Sequence, residues 1–200
     1  IDLIPIETTS LPLHITSQVD PFVWDIEVPG TAANLPPVQV TLKPSVVTIE
    51  KTTSFETEAQ QGIQPQIENF RKYGLLQPCQ SPCNTPIRHV RKPNGEYRFV
   101  QDLRAVNEKV VPVHSIVSNP YMKLTQVPED AIGHDIKHKD IKDAFFCIPL
   151  HVDTQYIFAF EWTDPDIHAA SHLTWAVLPQ GFRDSPHFFV NTLAKELRKL

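Results

Sequence analysis

The sequence predicts an α+β fold, in which helices pack against antiparallel strands. Apolar residues recur at helical spacing at Ile63, Ile67 and Phe70. Two short runs rich in β-branched and aromatic residues flank the Pro-Asn-Gly turn at residues 93–95, as in a β-hairpin. A further strand-like run is followed by Ser185 and a proline, a pair typical of a helix N-terminus. Helices mixed with hairpins in this way indicate an α+β architecture.

Composition limits the class of protein. The 200 residues are 41% hydrophobic and 20% charged, enough for one ordinary domain or two small lobes that share a core. No apolar run approaches the ~18–20 residues of a transmembrane helix, so we expect no membrane partner. Three cysteines are too few for a disulfide framework, which favours a reducing compartment. Because the chain begins with Ile1 and without a basic signal-peptide region, we expect a fragment or a processed product.

Prolines dominate the start of the chain. Residues 1–50 contain seven of them, so residues 1–36 are interpreted as an extended linker or N-terminal arm. Residues 38–42, Val-Gln-Val-Thr-Leu, alternate like a short strand.

The first predicted helix runs from Ser54 to a glycine cap at Gly74. Pro65 lies inside this run, and we expect it to kink the helix or to split it in two. Three prolines then keep residues 77–85 extended.

The rest of the chain alternates between strands and turns until a last helix. Five segments are predicted as strands: residues 87–90, 97–100, 147–150, 156–162 and 173–177. The first two form the hairpin. The last helix begins at Ser185, and Phe189, Leu193 and Leu197 form one apolar stripe along it.

Residues 140–146, Asp-Ile-Lys-Asp-Ala-Phe-Phe, contain the most informative candidate site. A strand that ends in Asp140 can direct a carboxylate at a hard divalent cation such as Mg²⁺, which prefers oxygen ligands. The backbone amides of the turn that follows could hold phosphate oxygens. The alternative is an acidic cap on a helical turn, because Asp-x-x-Asp pairs are common.

Basic residues crowd the hairpin although the net charge of the whole chain is −5. Residues 1–60 carry eight acidic and two basic side chains, whereas the remaining 140 residues carry 15 acidic and 16 basic ones. The global charge therefore neither favours nor excludes a nucleic-acid partner. Lys92 and Arg98 lie on either side of the predicted turn and could reach one polyphosphate. A solvated hairpin surface explains the same charges.

A third candidate, Gln180-Gly181-Phe182, lies between a predicted strand and the last helix. Glycine lets a ligand approach the backbone closely, and the Gln180 amide offers both a donor and an acceptor to a base or sugar. A tight turn without a ligand is the alternative.

Two other classes of site are disfavoured. His134 and His138, or Cys79 and Cys83, could begin a zinc site, but neither pair has a second pair at ligand spacing. A serine hydrolase is disfavoured because the sequence contains no Gly-x-Ser-x-Gly elbow.

Six motifs occur in a fixed order, at residues 80–86, 97–104, 117–121, 140–146, 158–162 and 178–182. Together they resemble a retroviral reverse transcriptase, in particular the Pol proteins of gammaretroviruses and related endogenous retroviruses. The resemblance implies the fingers and palm of a right-hand polymerase with an antiparallel sheet and packed helices. Residues 37–120 would form the fingers, and residues 121–200 a partial palm with some fingers elements.

The resemblance also implies a reaction. Such polymerases are RNA-directed DNA polymerases, which add deoxynucleotides to a primer 3′ end on an RNA or DNA template with two Mg²⁺ ions. Asp140 matches the first catalytic, metal-binding carboxylate, and Ile141 supplies a backbone oxygen to the metal. The family's other two carboxylates belong to a Tyr-x-Asp-Asp hairpin that would follow the last helix, and the sequence ends at Leu200 before it. Because one carboxylate cannot hold two divalent cations, we expect no polymerase activity from this chain alone.

Four matched residues imply a triphosphate site. Lys92 and Arg98 match the fingers residues that clamp the triphosphate of a deoxynucleoside triphosphate. The amides near Asp143 and Ala144 match those that meet its phosphates.

Two more matched residues face the rest of the nucleotide. Phe145 matches the aromatic gate that excludes a ribose 2′ hydroxyl, and Gln180 matches the glutamine beside the incoming nucleotide and template. The resemblance further implies the remainder of a Pol polyprotein (thumb, connection and ribonuclease H) as partners, and a cytoplasmic or virion-associated location.

The chain departs from the family pattern at several positions. The family usually has tryptophan at Cys83, an apolar–proline pair at Arg88 and His89, and apolar residues at His138 and Lys139. A palm strand should be buried, and burying a charged side chain there without a partner costs free energy of folding. These departures favour an alternative, a decayed, non-catalytic remnant that at most binds nucleic acid or nucleotide.

Overall fold

The computed structural model describes residues 35–44, 57–113 and 143–197. Its elements are α1 (Thr57–Lys72), β1 (Leu76–Pro78), β2 (Ile87–Arg91), β3 (Tyr97–Gln101), α2 (Arg104–Lys109), α3 (Val152–Gln155), β4 (Phe160–Thr163), β5 (Ala170–Trp175) and α4 (Ser185–Leu197). Strands β1, β5 and β4 form one antiparallel sheet in that order, and β2 pairs with β3 in a separate hairpin. Mixed helices and antiparallel sheets confirm the predicted α+β class. None of the helices in the described ranges is long and apolar enough to cross a membrane.

Helix α1 follows the predicted apolar period. Ala59, Ile63 and Ile67 are its buried residues. The helix continues through Pro65, so the predicted split does not occur. Pro65 is exposed, and water can satisfy the carbonyl four residues earlier that loses its helical donor. Gly74 ends the helix in a left-handed conformation, with φ of +71°, as predicted.

The hairpin forms where the sequence predicts it and packs one face on α1. In its register His89 lies opposite Phe99, and Arg91 opposite Tyr97. The side-chain amide of Gln66 on α1 bridges the backbone of β3, donating to the Tyr97 carbonyl at 2.6 Å and accepting from the Phe99 amide at 3.2 Å. Alternation along the strands turns even-numbered residues of the hairpin to the opposite face.

The two sheets share one hydrophobic core around Trp175. Its ring stacks on Phe146 with centroids 5.0 Å apart, and it also contacts Phe70 of α1 at 5.3 Å and Phe99 of β3 at 6.2 Å. Because these rings come from a helix, a hairpin strand, a sheet strand and a turn, the aromatic cluster fixes all four elements together.

Two predicted strands are wrong in part. Residues 144–147 form a 3₁₀ turn, Ala144–Cys147, and Pro149 makes only an isolated bridge to Val177. Tyr156–Phe158 is also a 3₁₀ turn, so the strand predicted from residue 156 begins at β4. In both segments tertiary packing outweighs local preference in deciding the backbone. The turn at 144–147 directs the Phe146 ring into the core, where Trp175 stacks on it.

The predicted strand at residues 38–42 is an extended segment held by isolated bridges. Val38 pairs with Leu150, and Leu42 with Val110. It therefore links two parts of the chain without joining either sheet. Helix α4 begins at Ser185 as predicted, but the Ser185 hydroxyl is buried and donates to the carbonyl of Pro179.

Candidate functional site

The predicted metal ligands Asp140 and Ile141 lie outside the described residues, as do His134 and His138. Within the described ranges, no group of three or more His, Cys, Asp or Glu side chains could hold a metal ion. Cys79 and Cys83 are free thiols, and burial raises the pKa of each.

The 3₁₀ turn begins at Asp143, which has the left-handed conformation φ 54°, ψ 30°. Aspartate is one of the few non-glycine residues that adopt this region readily. Its carbonyl accepts from the Phe146 amide at 2.8 Å and closes the turn. Ala144 and Phe145 occupy the first positions, where amides have no acceptor within a helical turn. The N–H groups of Ala144 and Phe145 therefore make no hydrogen bond within the turn itself.

Phe145 is half-buried and contacts α4. Its ring meets the Phe189 ring edge to face, with centroids 6.1 Å apart. Phe189 belongs to the predicted apolar stripe of α4, whereas Leu193 in the same stripe is 38% exposed. The contact fixes the direction of the Phe145 ring and leaves part of it open.

Gln180 and Asp143 come together in the fold although 37 residues separate them. The Gln180 side-chain amide donates to the Asp143 carboxylate over 3.4 Å, and Gln180 itself is exposed. Two candidate segments that are separate in the sequence therefore lie side by side.

The turn that carries Gln180 is fixed by groups on both of its sides. Gly181 has φ of +88°, which only glycine adopts without strain. Phe182 is 2% exposed and packs edge-on against Phe158, with centroids 5.1 Å apart. The turn is thus anchored in the core while Gln180 faces solvent.

Asn107 on α2 also holds this turn, and no sequence pattern indicated this role. Its side-chain amide donates to the Gly181 carbonyl at 3.0 Å, and its amide oxygen accepts from the Arg183 backbone N–H at 2.9 Å. Helix α2 is short and charged and lacks an extended apolar period, so neither the helix nor this contact could be predicted from spacing.

Lys92 and Arg98 share the solvent face of the hairpin. Together with Val90, Arg91, Pro93 and Asn94 they line a groove of about 420 Å³. Lys92 forms an ion pair with Glu96 at 2.8 Å, while Arg98 is exposed. The two cations therefore line one groove, and Lys92 is already paired with Glu96.

Arg88 of the hairpin and Arg104 of α2 are partly neutralised by one carboxylate. Asp102 contacts Arg104 at 2.5 Å and Arg88 at 3.5 Å. Hydrogen bonds from Arg104 and, less strongly, the nearby charge of Arg88 lower the pKa of Asp102 to about 2. Asp102 therefore holds two guanidinium groups near the base of the hairpin.

The hairpin and the Gln180 turn are neighbours. A Cβ atom at Gly181 would lie 3.8 Å from the backbone carbonyl oxygen of Gln101, the last residue of β3. Arg98 is three residues back along the same strand, roughly 10 Å at the usual strand rise. The Gln180 turn thus lies beside the end of β3, whereas the groove lies toward the turn of the hairpin.

Comparison with known proteins identifies the family of this chain. The family model described as "Reverse transcriptase (RNA-dependent DNA polymerase)" matches residues 90–200. The chain belongs to the reverse transcriptase family. This confirms the resemblance inferred from the six motifs.

Retroviral polyproteins are among its relatives. The reverse transcriptase segment is 43% identical over 183 residues to the Gag-Pol polyprotein of Koala retrovirus, covering 90% of this chain and 11% of that protein. It is 45% identical over 170 residues to Feline leukemia virus Gag-Pol, covering 84% and 10%. With the Pol polyprotein of Feline endogenous virus ECE1 it shares 42% over 170 residues, covering 84% and 16%. The chain thus spans a small part of each relative's length.

Solved structures show the same fold. A foamy viral protease-reverse transcriptase in complex with an RNA/DNA hybrid matches with a TM-score of 0.68 and 28% identity, over 84% of this chain and 21% of that one. A Prototype Foamy Virus protease-reverse transcriptase matches with a TM-score of 0.73 over 95% of this chain and 25% of that one. Its sequence identity of 24% supports the fold alone.

Proposed function

We propose that this reverse transcriptase segment forms the fingers and partial palm of an RNA-directed DNA polymerase, with residues 37–120 as the fingers and residues 121–200 as the partial palm. The hydrogen bond between Gln180 and Asp143 carries the proposal, because it joins two residues that match nucleotide-contacting positions and are distant in sequence. The Gln180 turn lies beside the end of β3, the strand that carries Arg98.

The proposed ligand is a deoxynucleoside triphosphate. Lys92 and Arg98 provide the positive charge for its phosphates, and the amides at Asp143 and Ala144 donate to them. Lys92 must exchange its ion pair with Glu96 for a phosphate oxygen, an exchange favoured by the higher charge of the ligand.

The proposed contacts to sugar and base come from Phe145 and Gln180. The open part of the half-buried Phe145 ring would exclude a 2′ hydroxyl by bulk, and the exposed Gln180 amide would contact the base or template.

The proposed metal is Mg²⁺, with Asp140 and the Ile141 carbonyl as its ligands from this chain. Oxygen donors of this kind are the ones Mg²⁺ prefers, and the bound ion would neutralise phosphate charge. The 200 residues contain no Tyr-x-Asp-Asp sequence, so this chain offers one of the three family carboxylates. We infer that the isolated chain binds nucleotide without polymerising it.

The proposed macromolecular partner is a template-primer duplex. Foamy viral relatives of the same fold were solved in complex with an RNA/DNA hybrid and with dsDNA, which supports this class of partner. The remaining parts of a Pol polyprotein would complete the enzyme, in the cytoplasm or the virion.

The triphosphate assignment is tested by nucleotide binding. Lys92→Ala combined with Arg98→Ala should abolish Mg²⁺-dependent binding of 2′-deoxyadenosine triphosphate to the 200-residue chain, measured by calorimetry. A matched control, Arg71→Ala with Lys72→Ala, removes two exposed positive charges at the end of α1 and should leave binding unchanged. Equal binding by both double variants would contradict the assignment.

The polymerase assignment is tested with a chimera. The chain is joined to the region of Koala retrovirus Gag-Pol that follows the matched segment, and primer extension is measured on an RNA template with Mg²⁺. Extension that disappears in Asp140→Asn supports the proposal. A folded chimera that binds an RNA/DNA duplex without extending it would instead support the decayed remnant.

A further inference from the structure

We propose that Asn107 is a positioning residue that fixes Gln180 for nucleotide binding by holding the backbone of Gly181 and Arg183. The inference rests on the proposed function and deepens it. Asn107 donates to the Gly181 carbonyl and accepts from the Arg183 amide, so one side chain spans the turn immediately after Gln180. These bonds cross 74 and 76 residues of sequence.

Both halves of the amide are required. The carbonyl of Gly181 needs a donor and the N–H of Arg183 needs an acceptor, and an uncharged amide provides both at one position. An aspartate at this position keeps the acceptor but places a carboxylate oxygen against the Gly181 carbonyl, whereas an alanine loses both bonds without that repulsion.

Asn107 is itself held on a rigid support. Helix α2 is anchored by Leu103, Val106 and Val110, which are 2%, 8% and 1% exposed. The Asn107 backbone amide donates to the Leu103 carbonyl at 2.8 Å. Because α2 is packed in the core, the Asn107 side chain holds the turn at a fixed position relative to the core.

Other bonds would keep the turn folded when Asn107 is removed. The Arg183 guanidinium donates to the Val110 carbonyl at 3.4 Å, and the Ser185 hydroxyl donates to the Pro179 carbonyl at 3.1 Å. What Asn107 adds is a restraint next to Gly181, whose backbone is the most permissive in the turn. We therefore expect its loss to misplace Gln180 more than to unfold the chain.

The test is a double-mutant cycle on nucleotide affinity. The dissociation constant of 2′-deoxyadenosine triphosphate with Mg²⁺ is measured for the 200-residue chain and for Asn107→Ala, Gln180→Ala and their combination. We expect Asn107→Ala to weaken binding about tenfold, the scale of one or two net hydrogen bonds. In the Gln180→Ala background the same substitution should have no further effect, because the residue that it positions is gone.

Two further variants distinguish positioning from general stability. Asn107→Asp is nearly isosteric, but its carboxylate repels the Gly181 carbonyl and the nucleotide phosphates, so it should weaken binding at least as much as Asn107→Ala. Asn84→Ala is the matched control. It removes another asparagine whose amide oxygen accepts a distant backbone N–H, that of Glu161 at 2.9 Å. It should lower the melting temperature without changing nucleotide affinity.

The outcomes separate the two hypotheses. If the unaltered chain binds nucleotide and Asn107→Ala and Asn107→Asp bind it as well as the unaltered chain does, the inference is wrong and the proposed function stands. Additive effects of Asn107→Ala and Gln180→Ala would also overturn the inference, because they show that Asn107 acts independently. If the unaltered chain binds no nucleotide, both the proposed function of the chain and the inference fail.

Discussion

The indole N–H of Trp175 donates a hydrogen bond of 2.7 Å to the side-chain oxygen of Gln101, and both groups are buried. The nitrogen of the same amide donates to the Phe158 carbonyl at 2.8 Å and to the Thr85 hydroxyl at 2.5 Å. One glutamine therefore joins the hairpin to the three-stranded sheet through a fully bonded polar group in the core.

Replacing this glutamine should destabilise the whole fold. Gln101→Leu keeps a similar volume but leaves the Trp175 N–H buried without its acceptor, at a cost of about 1–3 kcal/mol in the free energy of unfolding. Urea denaturation followed by tryptophan fluorescence measures the change. Gln77→Leu, on an exposed position of β1, is the control and should stay within about 0.5 kcal/mol of the parent. Equal stability of the two variants would contradict the role given to Gln101.

Gly62 should not tolerate a methyl group, although alanine normally stabilises a helix interior by about 1 kcal/mol relative to glycine. A Cβ atom at this position would overlap the Tyr97 ring, which packs directly against the α1 backbone. We expect Gly62→Ala to lower the free energy of unfolding by roughly 1–3 kcal/mol, as overpacking does. Combining it with Tyr97→Val should recover the loss relative to Tyr97→Val alone. A higher melting temperature for Gly62→Ala would show that the Tyr97 ring does not pack against Gly62.

Asp102 should make stability depend on pH in the acidic range. Its pKa is lowered from 3.8 to about 2, chiefly by hydrogen bonds from Arg104, so its ionised form is favoured in the folded chain. This contribution is complete above about pH 4 and is lost as the pH falls through 2. Asp102→Asn should cost on the order of 1–2 kcal/mol at pH 7 and nearly nothing at pH 2. Denaturant titrations at several pH values measure it. Glu161→Gln, at an exposed carboxylate of β4, is the control, and a pH-independent cost of Asp102→Asn would argue against the ion pair.

Gly181→Ala should affect nucleotide binding as well as stability. Gly181 has φ of +88°, so an alanine at this position would be held in a left-handed conformation at a cost of roughly 1–2 kcal/mol. No close contact blocks its methyl group. Gly74→Ala, at φ of +71° and at the end of α1, incurs a similar cost away from the candidate site. Both variants should melt at lower temperature, and calorimetry should show weaker nucleotide binding only for Gly181→Ala. Equal nucleotide affinities would indicate that the turn does not set the position of Gln180.

Local signals in the sequence predicted much of this fold. The Pro-Asn-Gly turn predicted the hairpin of β2 and β3, and Ser185 marked the start of α4. The errors occur where tertiary packing outweighs local preference. The 3₁₀ turn at Ala144–Cys147 overlaps the start of a predicted strand, and it carries the Phe146 ring that stacks on Trp175. Pro65 sits on the exposed side of α1, where a missing hydrogen bond is tolerated.

The candidate site was predicted in pieces. Gln180, Asp143 and the basic hairpin were each identified from residue type and spacing. That Gln180 and Asp143 touch follows from long-range packing that no local pattern encodes. Asn107 was missed for the same reason, because the two backbone groups to which its side chain bonds are more than 70 residues away in the sequence.

The pairing of β1 with β5 has a consequence for how the chain is made. Leu76 lies opposite Trp175, so the first strand of the sheet gains its neighbour only after almost 100 further residues have been synthesised. Helix α1 and the hairpin can form early from local contacts, but the surface that they bury against the sheet stays uncovered until then. During translation of the longer polyproteins to which this chain is similar, that delay would leave apolar surface of the nascent segment open to chaperones until the sheet is complete.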